Sequence, residues 1–158
     1  MTDPVLETID GLGVGYEIIS CNPDLADTAQ FCEAYGYELE DSANTILVVG
    51  KADPRVYVAC VVLASTRLDV NGRVKKKLGI RRTSFASAEE TLEVTGMTIG
   101  GVTPFGFPDD LPIWIDERVM LRDRIILGGG TRDRKVLASP EILTALPTVE
   151  VVADLALG

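Results

Sequence analysis

Any chemistry in this chain is built without histidine, since none of its 158 residues is one. That removes the commonest general base, the Ser/His and Cys/His nucleophile pairs and most catalytic zinc sites. What remains are backbone donors, carboxylates, lysine and arginine, and groups a substrate brings. The stretch from Thr95 to Gly106 is best placed to offer backbone, with four glycines and one proline in twelve residues. Glycine permits backbone shapes that other residues resist and lets a ligand approach the main chain. Ile99, Val102 and Phe105 stand between those glycines, which is not linker composition, and they pin the segment to a core. Two readings stand side by side: an ordered loop lining a pocket, and a tight helix-to-strand turn with no ligand.

A second cluster, Gly128, Gly129, Gly130, Thr131 and Arg132, follows the apolar run Ile125, Ile126, Leu127 and precedes another strand pattern from Lys135 to Leu137. It lacks the following helix that a Walker loop or a dinucleotide fingerprint requires. A small anion-binding nest and a plain hairpin turn both fit it. Asp116 closes the run Pro112 to Asp116 and suits a turn or cap as well as a pocket wall.

The formal charge of −9 speaks against general nucleic-acid binding, so DNA is not an expected partner. The charge is uneven, however. Arg67, Arg73, Lys75, Lys76, Lys77, Arg81 and Arg82 are set against Asp69 alone, a local excess of +6. That face suits either a specific polyanion or solvent. Cys21, Cys32 and Cys60 are odd in number and not closely paired, which fits reduced thiols better than a disulfide or zinc framework. No basic-then-apolar leader opens the chain, and the longest apolar run, Val56 to Ala64, is too short to span a bilayer. A cytoplasmic protein without a membrane partner is expected.

The elements that hold these residues are short. Asp3 and Pro4 start a helix closed by Gly11, and Tyr16 to Ser20 reads as a strand. Asp27 with Gln30 forms a capping box for a helix ended by Gly36. Thr45 to Val49 and Val56 to Leu63 are β-branched strands at the centre of a sheet, and Asn71 caps a helix through Leu78 that carries the lysines. Ser87 with Glu90 starts a helix delivering the chain to the first glycine loop. Strands follow at Pro112 to Asp116, Arg124 to Leu127, Arg134 to Leu137 and Thr148 to Val152, with a short helix from Ser139 and Pro140 stopped by Pro147. The pattern predicts one α+β domain, residues 1–158, with a mixed, curved, partly barrel-like sheet of about seven or eight strands and several short helices.

In order and spacing, Thr95-Gly96, Gly100-Gly101-Val102-Thr103-Pro104, Asp116, Gly128-Gly129-Gly130-Thr131-Arg132 and Ser139-Pro140 with Leu143 resemble the YbaK/EbsC-type prolyl-tRNA-editing, or synthetase-associated, domain family. The resemblance covers residues 15–155. It implies a trans-editing deacylase that hydrolyses the ester of a mischarged tRNA, with no cofactor or metal. It also implies a substrate site of Thr45, Gly100, Val102, Thr103, Pro104, Phe105, Asp116 and the Gly128, Gly129, Gly130, Thr131, Arg132 turn, the last forming the wall opposite the first loop. Gly101 and the residue at position 44 fall at the reaction centre. Where the family typically carries a lysine, this chain has Asn44, in Asn44-Thr45-Ile46-Leu47. Lys51 lies roughly 23 Å further along a regular strand and on its other face, so it cannot stand in. Asn44 still offers an amide donor, worth about half a charge-assisted one. An activated ester needs little more than positioned donors and a held water, so the missing histidine is compatible with this activity. The alternative is a module that binds aminoacyl-tRNA or aminoacyl-adenosine without turnover. Arg73, Lys75, Lys76 and Lys77 are the residues expected to meet the tRNA, and a synthetase is a further candidate partner.

Overall fold

The computed structural model describes residues 3–158. Its ten strands fall into three sheets rather than one curved sheet of seven or eight, and no closed barrel forms among the described residues. The largest sheet takes β2 (Ala43–Gly50), β3 (Val56–Leu63), β5 (Thr83–Phe85), β6 (Ile113–Asp116) and β9 (Val149–Val152), in the order β5-β2-β3-β6-β9. β5, β2 and β3 pair antiparallel, and β3, β6 and β9 pair parallel. The second sheet sets β8 (Arg134–Ala138) between β1 (Tyr16–Ser20) and β7 (Ile125–Gly128), all antiparallel. The third pairs β4 (Arg67–Leu68) with β10 (Ala156–Leu157).

Because successive side chains alternate across a strand, the five-stranded sheet buries both faces. Leu47, Ala59, Val61, Ile113 and Ile115 look into the main core, which the second sheet closes with Ile125, Leu127, Val136 and Ala138. Val48, Val58, Cys60, Val62 and Trp114 look the other way, where the basic segment packs through Val70 and Val74. The far side of the second sheet, with Ile19, Ile126 and Leu137, is covered by α2 (Thr28–Tyr35) through Phe31 and Cys32. A single parallel bridge, Ser42 to Ile126, joins the two larger sheets outside the named strand pairs.

The helices follow their punctuation with two differences. α1 (Pro4–Gly11) is capped by Asp3, and α4 (Ala88–Thr95) by Ser87, whose hydroxyl accepts the Glu90 N–H at 3.0 Å. Asp27 flanks α2 but makes no capping bond, since its carboxylate accepts from Arg132 at 3.3 Å. The basic helix is capped by Asp69, not Asn71: the Asp69 carboxylate accepts the Gly72 and Arg73 N–H groups at 3.1 and 3.0 Å. Those bonds start a wide turn, Val70–Val74, before α3 (Lys75–Leu78). α5 (Glu141–Thr144) follows Pro140. No helix of the described residues is long and apolar enough to cross a membrane.

Candidate active site

The two glycine segments meet, but side by side. The Gly130 N–H donates to the Gly101 carbonyl at 2.7 Å. A methyl group added to Gly101 would lie 2.8 Å from the Thr131 carbonyl carbon, and one on Gly128 would lie 2.1 Å from the Val102 carbonyl oxygen. Glycine is required at both places because main chain touches main chain there. The expectation that Gly128 to Arg132 forms a wall opposite the first loop is corrected accordingly: the turns are adjoining parts of one wall. The Gly101 N–H donates to the Thr98 carbonyl at 2.9 Å, so both polar groups of Gly101 are spent inside the protein.

That wall borders a cavity of about 340 Å³ at the seam between the two larger sheets. β2 contributes Ala43, Asn44, Thr45, Ile46 and Leu47, and β7 contributes Ile126, Leu127 and Gly128. Gly100, Val102 and Ile99 come from the first loop, Asp27, Thr28 and Phe31 from the start of α2. Phe85 is 57% exposed and completes the lining from the sheet edge, beside Ala86. The size suits a small ligand, and the lining mixes apolar side chains with a few polar groups, as ligand sites do.

Asn44 is tied by its amide oxygen, which accepts the Thr28 hydroxyl at 2.5 Å, so its –NH2 group is the part left to donate. The Thr45 hydroxyl is buried with no partner among the described residues. Lys135 enters from β8, opposite Gly128 in the strand register. It is only 5% exposed, and its ammonium donates to the Ala26 carbonyl at 2.5 Å and the Gly100 carbonyl at 3.1 Å, 5.5 Å from the Phe31 ring centre. Burial pulls its pKa below the ordinary lysine value. Arg132 works alongside, donating to the carbonyls of Ile99 at 2.7 Å and Pro23 at 3.0 Å. Two cations thus clamp the carbonyl side of the glycine loop to the segment leading into α2.

Of the expected site residues, Asn44, Thr45, Gly100, Val102 and Gly128 line the cavity. Gly101, Gly130, Thr131 and Arg132 stand behind the wall, holding it together. Gly129 accepts from Arg134 through its carbonyl at 2.7 Å. Thr103, Pro104 and Phe105 are buried outside the lining, Phe105 in the main core. Asp116 is buried at the end of β6, where it accepts the Arg118 Nε–H at 3.1 Å, and does not line the cavity. The basic residues lie on the other face of the five-stranded sheet, away from the lining. Lys77 is engaged by Glu150 at 2.6 Å over the Trp114 ring, and Arg73 donates to the Ala153 carbonyl at 3.0 Å.

Sequence reasoning passed over Thr28, Phe31, Phe85 and above all Lys135. A signal for the last was present: Lys135 and Leu137 alternate onto the same face of a strand, and a lysine seldom occupies an apolar face without a task.

Residues 22–146 match the aminoacyl-tRNA editing domain. The chain belongs to the aminoacyl-tRNA editing domain family. A relative in Bacillus subtilis strain 168, the uncharacterized protein YwhH, is 26% identical over 129 residues, covering 82% of this chain and 80% of that protein. The crystal structure of hypothetical protein APE2540 is similar with a TM-score of 0.85 and 25% identity, covering 98% of this chain and 99% of that one. That of a proposed trans-editing enzyme for prolyl tRNA synthetase gives 0.82 and 25%, covering 98% and 95%. The editing-domain match takes in β2, the glycine loop, β7 and β8, so the whole seam lies inside it.

Proposed function

We propose that this editing-domain protein is a trans-editing deacylase that cleaves the ester joining an amino acid to the 3′ end of a mischarged tRNA. The observation that carries the reading is the cavity at the seam, lying wholly within residues matched to the family and lined by Asn44, Thr45 and both glycine turns. In this reaction a water oxygen bonds to the ester carbonyl carbon and the bond to the ribose oxygen breaks. The ribose oxygen takes one of the water's two protons, the other passes to solvent, and the amino acid leaves as its carboxylate. The developing oxyanion needs a donor already in position, and the Asn44 –NH2 is an uncharged donor at the lining. The tRNA body would reach Lys75 and Lys76 around the β5 edge, with Lys77 and Arg73 partly committed to the protein itself. A cytoplasmic location and contact with a synthetase belong to the same proposal.

The test is a panel of mischarged tRNAs incubated with the pure protein. Release of amino acid from at least one, above buffer, is expected; release from none refutes the enzymatic reading. A second reading, binding without turnover, is favoured by one observation: the amide at position 44 is neutral and its oxygen is already occupied by Thr28. It predicts that aminoacyl-adenosine analogues bind the wild type without turnover, and that Asn44→Lys gains activity.

A further inference from the structure

The seam cavity has an unbalanced charge. Of its two ionised lining groups, Asp27 is paired with Arg132 at 3.3 Å, while Lys135 is held only by neutral carbonyls. Its ammonium carries three donors, and the Ala26 and Gly100 carbonyls take two. A buried ammonium hydrogen-bonded only to neutral carbonyls keeps an attraction for an anion, since Asp27, the carboxylate that acts on it, is already paired with Arg132. A neighbouring polar group points the same way. The Asn44 oxygen is spent on Thr28, which leaves its –NH2, a donor, as the free part of that side chain at the lining.

We infer that the cavity selects an acyl group ending in a carboxylate, an acidic aminoacyl group, whose carboxylate oxygen accepts the remaining Lys135 N–H. The inference rests on the deacylase reading for the ester but concerns a separate matter, which side chain the pocket takes. Phe31, whose ring centre lies 5.5 Å from the ammonium, and Ile126 supply apolar surface on the Lys135 side of the cavity. A hydrocarbon side chain of equal size leaves the ammonium without its third partner, and an amide oxygen offers only a neutral acceptor, so the site discriminates against both.

The test is calorimetric binding of three amide-linked 3′-aminoacyl-adenosines, carrying aspartate, asparagine or leucine, which the protein cannot hydrolyse as esters. The three side chains are close in size and differ in charge. The aspartyl compound is expected to bind wild type roughly tenfold or more tighter than the leucyl one, a charge-assisted bond being the difference. Lys135→Met is expected to erase that preference and Lys135→Arg to keep part of it. If Lys135→Met fails to fold, the wild-type and Lys135→Arg comparisons decide. Equal binding of the three by wild type, a preference that survives Lys135→Met, or no binding of any overturns the inference. Deacylation of neutral aminoacyl-tRNAs with equal analogue binding sinks the inference and leaves the deacylase reading intact. Preferential aspartyl binding without deacylation of any tRNA does the reverse.

Discussion

Replacing Gly128 by alanine separates the two glycine turns by force. The added methyl would sit 2.1 Å from the Val102 carbonyl oxygen and 2.9 Å from its carbon. Against an ordinary contact this is short by roughly 1.3 Å, and the atoms to be moved are backbone with no rotamer to change. Overpacking of this kind costs about 1–3 kcal/mol, and the upper end is expected where side chains cannot yield. Opening the wall also stretches the 2.7 Å bond from the Gly130 N–H to the Gly101 carbonyl, another fraction of roughly 1 kcal/mol. With an unfolding entropy of about 2.1 cal/mol/K per residue over 158 residues, a loss of about 3 kcal/mol lowers Tm by roughly 9 °C. The assay is a calorimetric melt of wild type, Gly128→Ala and the control Gly15→Ala. Gly15 has nothing within 4 Å of an added methyl and lies outside the left-handed region. Its alanine variant should therefore match wild type or gain a few tenths of a kcal/mol by restricting the unfolded chain. A Gly128→Ala protein melting within about 2 °C of wild type would refute the claim that these turns touch through their main chains.

Two further outcomes follow from local electrostatics. Asp3→Ala removes the α1 cap and the paired bonds to Arg134 at 2.8 and 3.1 Å, at a cost of about 1 kcal/mol from the cap, the partly exposed ion pair adding little. The hydrogen bond from Arg134 holds the Asp3 carboxyl below its ordinary value of 3.8, so the wild-type advantage is full above that pH and fades as pH falls below it; urea titrations of both proteins at pH 7 and pH 3 measure this. Burial pushes the Cys60 thiol up to about 12, so iodoacetamide at pH 8 should leave Cys60 unmodified in folded protein and label it in urea; equal labelling in both, read by mass spectrometry, would contradict its burial.

The sequence was most legible where a local rule sufficed. Ser87 and Gly96 bracket α4 as their types require, and the β-branched runs of β2 and β3 placed them at the middle of a sheet. It was less legible wherever a distant partner decided. Asp27 has a capping position, yet Arg132, over a hundred residues away, takes its carboxylate. Asn71 is a good cap by type, but Asp69 reaches two N–H groups at once and wins. The division into three sheets depends on which strands meet across the core, which no single strand encodes. At the site, the glycines were readable as a pair of special turns, whereas their contact and the ammonium behind them needed the register of β7 on β8.

The loop from Ile99 to Gly100 owes its shape to ions it does not contain. Its two carbonyls are steered by Arg132 and Lys135, which lie more than thirty residues downstream, and the same ions hold Pro23 and Ala26. Grafted onto another scaffold without those tethers, the glycine segment would regain the freedom its composition gives it and forget its form. What a copy of this pocket must inherit is therefore a trio of remote segments and two cations, not a motif.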